Sequence, residues 1–143
     1  MRRYIWLSVG LLIGIGCGSS TEPLADVHVA TTVAPRNSLP TPVTITTTVT
    51  NDATHAITIE TNPCPARFRI ETLTGVRIGL SGQICAAFSR RVTLAPGQLF
   101  SFHDQWDGRD SNGVRVSGTS RVIGQPFLDH GPQSAPVTVQ FPE

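Results

Sequence analysis

Eight consecutive residues, Val43-Thr44-Ile45-Thr46-Thr47-Thr48-Val49-Thr50, constrain this chain more than any others, because they alternate with a period of two. Val43, Ile45 and Val49 fall on one side and Thr44, Thr46, Thr48 and Thr50 on the other, which is the pattern of a half-buried strand. Threonine is polar yet β-branched, so it suits the solvent side of a pleated sheet and disfavours helix. The same period places strands near Val27–Val33, Ala56–Glu60, Arg67–Thr72, Val76–Leu80, Arg91–Leu94, Leu99–Trp106, Val114–Val116, Thr119–Ile123 and Val137–Phe141. No window of helical length carries a 3.6-residue repeat. Asn51-Asp52-Ala53-Thr54, Leu73-Thr74-Gly75, Ala95-Pro96-Gly97-Gln98 and Asp110-Ser111-Asn112-Gly113 supply turn chemistry between them. Pro35, Pro40 and Pro42 keep the connection after the first strand out of any central position. Many short strands at regular intervals predict an all-β antiparallel sandwich of about 7–9 strands. Residues Gly124 to Ala135 read as a long exposed loop before the last strand.

The first sixteen residues break the pattern. Met1-Arg2-Arg3 is followed by an apolar run from Tyr4 to Ile15 and by Gly16-Cys17-Gly18-Ser19-Ser20. A charged start, an apolar middle and a small-residue exit are the three parts of a secretory signal, expected to be helical. The run is too short for a permanent span, which needs about 20 residues. Gly14-Ile15-Gly16-Cys17 resembles the lipobox of bacterial lipoproteins. That resemblance implies cleavage before Cys17, acylation of its thiol and attachment to a membrane. Gly18 after the cysteine implies, in that family, the outer membrane. The expected organisation is a signal peptide over 1–16, a flexible tether over 17–25 and one domain over 26–143.

Cutting before Cys17 leaves 143 − 16 = 127 residues with 11 − 2 = 9 arginines, no lysine and all 10 acidic residues. A net charge near −1 offers no basic footprint for nucleic acid. A chain of this length buries roughly two-thirds of its unfolded surface, enough for one core without a metal. With Cys17 taken by lipid, Cys64 and Cys85 are an even pair in an oxidising compartment, and a disulfide between them is the expected outcome. A two-cysteine metal site or two free thiols are the alternatives, and no histidine stands at zinc-finger spacing.

Leu94-Ala95-Pro96-Gly97-Gln98, then Trp106-Asp107-Gly108-Arg109-Asp110-Ser111-Asn112-Gly113, then Gly118, resemble the BsuPI family of intracellular proteinase inhibitor domains. That family combines an L-x-P-G-x turn with a W-D-x-x-D-x-x-G loop and a following glycine strand. The loop is also similar to one in the immunoglobulin-like domain of flagellar hook-capping proteins. The resemblance covers most of Val43 to Ile123. It implies an immunoglobulin-like sandwich and proteinase inhibition. Read by its own chemistry, the loop is a structural turn: its aspartates can accept backbone N–H bonds, Gly108 and Gly113 can take positive φ, and Trp106 can cap the core with its indole N–H at the edge.

Other chemistry is sparse. Asp104, Asp107, Asp110 and Asn112 overlap part of a calcium-loop pattern and make a calcium-binding, adhesion-type domain an alternative, although no Glu closes the loop. His28, His55, His103 and His130 form no metal-binding pair, and His103 and Asp104, adjacent on a strand, face opposite sides of a sheet. No Gly-x-Ser-x-Gly elbow and no phosphate loop is present, so no enzyme and no cofactor is expected. Cys64, between Pro63 and Pro65, offers a stiff segment that an inhibitor could present to a protease. The resulting expectation is a lipid-anchored, noncatalytic binding or scaffold domain of the cell envelope with a protein partner, the alternative being a proteinase inhibitor whose partner is a protease.

Overall fold

The period-two segments become nine strands in the computed structural model, which describes residues 24–34, 42–61, 67–80, 89–127 and 131–142. They are β1 (Val27–Ala34), β2 (Val43–Asn51), β3 (Ile57–Thr61), β4 (Phe68–Thr72), β5 (Arg77–Ile78), β6 (Arg90–Leu94), β7 (Leu99–Trp106), β8 (Gly118–Gly124) and β9 (Val137–Phe141). Every pairing is antiparallel. One sheet has the order β1-β2-β7, a second β5-β4-β8-β9, and β3 and β6 form a separate ribbon. Taken in chain order, β1, β2 and β7 occupy the A, B and E places of an immunoglobulin sandwich, and β5, β4, β8 and β9 the C′, C, F and G places. β6 stands where strand D would, but pairs with β3 instead of β7.

The alternation decides which side chains go inside. β1 and β2 bury every second residue, and their register sets Val29 against Val49 and Val33 against Ile45. At one end of the sandwich Val33, Val43, Ile45, Phe68, Ile70, Trp106, Val122, Val139 and Phe141 pack together. At the other, Val27, Val29, Val49, Ile57, Ile59, Leu94, Phe102 and Phe127 fill the space under the β3–β6 ribbon. The ends of β2, β3 and β6 are tied by Asn51, which is fully buried. Its Nδ2 donates to the carbonyls of His55 (2.9 Å) and Leu94 (3.0 Å), and its Oδ1 accepts the N–H of Ala53 (2.9 Å).

Four expectations are corrected. Val114–Val116 is not a strand: Arg115 makes one isolated bridge to Arg109, because the Asp110 side chain and carbonyl hold the backbone of residues 112–114 in a turn. The strand expected over Val76–Leu80 shortens to Arg77–Ile78, since Ser111 N–H takes the Gly79 carbonyl and Leu80 bridges to Asp110. The 124–135 connection is exposed only in part: among its described residues Gln133 and Ala135 are exposed, whereas others are packed. Pro126 is fully buried, Phe127 enters the second core cluster and bridges to Thr61, and the buried Ser134 hydroxyl accepts the Gly124 N–H at 2.8 Å. Finally, Leu24 and Ala25, assigned to the tether, belong to a 3-10 turn (Leu24–Asp26), and Leu24 packs against the second cluster. The signal segment 1–16, Cys17, Pro35, Pro40, Cys64, Cys85 and His130 lie outside the described residues.

Candidate functional site

The Trp106–Gly118 loop satisfies itself. Trp106, at the end of β7, stacks edge-on against Phe141 (centroids 5.3 Å, 82°) and donates its indole N–H to the Arg109 carbonyl at 2.9 Å. Asp107 Oδ1 accepts the Arg109 N–H, and Asp110 Oδ1 accepts those of Asn112 (2.9 Å) and Val114 (2.8 Å). Gly108 and Gly113, at φ 79° and 78°, occupy the left-handed region that glycine alone enters freely. The Arg109 guanidinium closes the loop on the Gly113 carbonyl at 2.7 Å. In the preceding turn Gln98 N–H reaches the Ala95 carbonyl at 3.0 Å, with Pro96 and Gly97 (φ 71°) at the central positions, as a type II turn requires. Gly118, also at positive φ, starts β8. The motif residues thus meet in space and build turns.

The calcium candidates do not converge. Asp104 faces the interior of the sandwich, 4% exposed, where its carboxylate accepts the Arg67 N–H (3.1 Å) and guanidinium (2.9 Å). Asp107 and Asp110 are turned toward the backbone of their own loop. Among the described residues no three His, Cys, Asp or Glu side chains lie close enough together to hold a metal ion. Burial pushes the Asp104 carboxyl above its ordinary value of 3.8, and the Arg67 hydrogen bonds and charge work against that rise. His103, its sequence neighbour, points outward and meets the Thr46 hydroxyl at 3.1 Å, so the two do not form a base-and-orienter pair.

Asp104 belongs to a polar layer that period-two reading did not show. Between the two apolar clusters lie Thr31, Thr47, Asp104, Gly124 and Ser134. Thr31 and Thr47 are cross-strand partners, both pointing inward, and neither buried hydroxyl has a hydrogen-bond partner. Gly124 sits against both: a Cβ there would come within 2.9 Å of the Thr47 hydroxyl and closer still to that of Thr31. Arg67 lays its guanidinium over the Phe102 ring at 4.8 Å. Thr31, Thr47, Asp104 and Ser134 are buried in this layer, and the Arg67 side chain, 25% exposed, reaches it from the surface.

The outer face of the β1-β2-β7 sheet is the most distinctive surface. Its cross-strand rows are Ala34/Thr44/Gln105, Thr32/Thr46/His103, Ala30/Thr48/Ser101 and His28/Thr50/Leu99. None of these twelve positions is Asp, Glu, Lys or Arg. Hydroxyls join across it, with Thr48 and Ser101 at 2.9 Å, and Leu99 ends it 61% exposed. The Thr alternation in β2 signalled only a solvent side. That the neighbouring strands are also uncharged on this side follows from the register, which sequence periodicity does not contain.

No family model matches the chain, and no curated protein matches it. Solved structures similar in fold include a β-glucosidase of Erythrobacter marinus, at 13% identity and a TM-score of 0.49, over 80% of this chain. The chain spans 15% of that enzyme's length. The putative ApaA protein of Bordetella pertussis aligns with 82% of this chain and 93% of its own length, at 17% identity and a TM-score of 0.43. The structural-genomics target SoR45 aligns with 80% and 84%, at 15% identity and a TM-score of 0.41.

Proposed function

We propose that the chain is a noncatalytic binding or scaffold domain, anchored to the cell-envelope membrane through an acylated Cys17, that engages a protein partner with the outer face of β1-β2-β7. One observation carries this reading: the twelve-position face without a single formal charge. Interface centres are depleted of charged side chains, because each would have to shed its hydration on contact. Threonine, serine and alanine lose little side-chain entropy when covered, and the β2 threonines are already half-buried in their neighbours. The sheet holds them in a fixed array, so a partner meets a surface that needs no reorganisation.

The test is a photocrosslinking side chain introduced at position 48, in the middle of the face, with irradiation in the native envelope. The expected result is a discrete protein adduct at position 48 that disappears when Thr46→Arg places a charge beside it. An adduct indifferent to Thr46→Arg, or none at all, refutes this docking face.

The alternative, a proteinase inhibitor of the BsuPI type, is favoured by one feature of the β3–β6 ribbon. Its last register pair is Thr61 with Arg90. Cys64 follows Thr61 by three residues and Cys85 precedes Arg90 by five, so the two segments leave from the same end of the ribbon. A disulfide between them is within reach of extended chain, about 3.4 Å per residue, and would tether a Pro63-Cys64-Pro65 segment. Inhibition of a subtilisin-like protease that is lost in Cys64→Ser would favour this reading. Undiminished proteolysis at high molar excess would remove it.

A further inference from the structure

The second sheet is the electrostatic opposite of the first. The registers Glu71–Arg77, Glu71–Arg121 and Arg121–Thr138 place Arg77, Glu71, Arg121 and Thr138 in one row across β5, β4, β8 and β9. Directly opposed residues of neighbouring strands share a face. The next positions inward, Ile70 and Val122, are fully buried, so the row looks outward. Arg69, two residues before Glu71, donates to its carboxylate at 2.5 Å and also contacts Gln133. Arg69 and Glu71 therefore neutralise each other. Arg77 and Arg121 flank that pair, and neither has a carboxylate partner among the described residues. Among the described residues the face carries two guanidinium groups without a carboxylate partner and no unpaired acid, which sets it apart in a mature chain whose net charge is near −1.

We propose that this arginine row docks the domain, face down, on the anionic phosphate headgroups of the membrane to which it is tethered. The inference rests on the membrane-anchored reading above. Two arginines alone would give a free protein weak affinity. A tether changes the requirement, because an anchored domain is already at the surface and its charges need only bias which side it presents. Each basic residue near an anionic leaflet contributes about fivefold, so two contribute about thirtyfold to the face-down orientation. Guanidinium suits this role, since its planar fork can bond two phosphate oxygens at once. The opposite sheet, with its uncharged face, is then turned away from the membrane toward a partner.

The experiment uses the acylated chain, mixed with vesicles of phosphatidylcholine alone or with about one-third phosphatidylglycerol, a content high enough for the surface potential to act. Flotation with phosphatidylcholine vesicles reads the anchor. A photocrosslinker at position 138 or position 48 reads the orientation through lipid adducts. The expected result is adducts at 138 in excess of those at 48 on anionic vesicles only. The 138-to-48 ratio should fall about thirtyfold in the Arg77→Gln/Arg121→Gln double variant, and it should fall with added salt. Equal adducts at the two positions, or a ratio unchanged by phosphatidylglycerol or by the double variant, overturn the docking while leaving the anchor intact. A chain that floats with anionic vesicles alone, through the arginines, keeps the docking and refutes the anchor. One that floats with neither refutes both.

Discussion

Thr47→Val should make the protein more stable, against the usual direction of core substitutions. Thr47 is fully buried between the sheets, and its hydroxyl has no hydrogen-bond partner. Leaving a buried hydroxyl unpaired costs about 1–3 kcal/mol. Valine replaces that oxygen with a methyl group in nearly the same shape. The opposing term is crowding, because Gly124 stands close to the oxygen, and overpacking a tight core costs about 1 kcal/mol or more. The balance is a net gain of about 1 kcal/mol, or roughly 4 °C in melting temperature for a domain of this size. Urea unfolding measures it as a rise in midpoint at unchanged slope. Thr47→Ser is the control: it keeps the oxygen and loses the methyl, and should cost about 1 kcal/mol. A lower midpoint for Thr47→Val, with Thr47→Ser close to the parent, would show that the hydroxyl is satisfied and the reasoning wrong.

Three further outcomes follow from the same layer and from the cysteines. Gly124→Ala should destabilise by about 1–3 kcal/mol, because the new methyl lands on the Thr31 hydroxyl, and Thr31→Ala should restore much of the loss; urea midpoints of the single and double variants check both. Asp104 has a native pKa raised by burial, so the folded state holds its proton more tightly than the unfolded one. Its contribution to stability therefore grows as pH falls from that raised value toward 3.8 and is lost as pH rises through it; the stability of the parent relative to Asp104→Asn should follow this course across acid pH. Mass spectrometry of the mature chain should find an acylated Cys17 and no free thiol at Cys64 or Cys85. Cys64→Ser should then cost about 3 kcal/mol under oxidising conditions and nothing under reducing ones.

Fold class was legible in the sequence because period-two alternation is a local signal, and nine of the ten expected strands reappear within two residues at each end, Leu99–Trp106 and Val137–Phe141 without change. The errors have physical causes. Val114 and Val116 are β-branched and read as strand, but the Asp110 side chain takes the Val114 N–H and the Gly108 carbonyl takes that of Val116, which holds both in the loop. Gly124 to Ala135 contains the glycine, proline and polar residues of a loop. Its partial burial depends on Phe127 finding the space beneath the β3–β6 ribbon, a contact between residues 61 and 127 that no local pattern encodes. Asn51 was read as a turn residue, which its bond to Ala53 supports. Its full burial comes from the Leu94 carbonyl, 43 residues away.

The candidate site was less legible than the fold because it is defined by register, and register is a property of pairs of strands. Thr44, Thr46, Thr48 and Thr50 would look the same beside strands carrying lysine and glutamate. What distinguishes the face is that His28, Ala30, Thr32 and Ala34 on one side, and Leu99, Ser101, His103 and Gln105 on the other, arrive opposite them. Thr47 and Thr48 show how sharply one position divides the roles: the first is sealed in the polar layer, the second lies on the outer face bonded to Ser101. Substitutions at these neighbours should therefore separate. Thr47→Val should move the unfolding midpoint and leave partner adducts unchanged, whereas Thr46→Arg should abolish adducts at position 48 and shift stability by no more than about 0.5 kcal/mol, as surface substitutions do. If Thr46→Arg instead unfolds the domain, the face is a structural surface, and its lack of charge reflects packing of the threonines rather than docking.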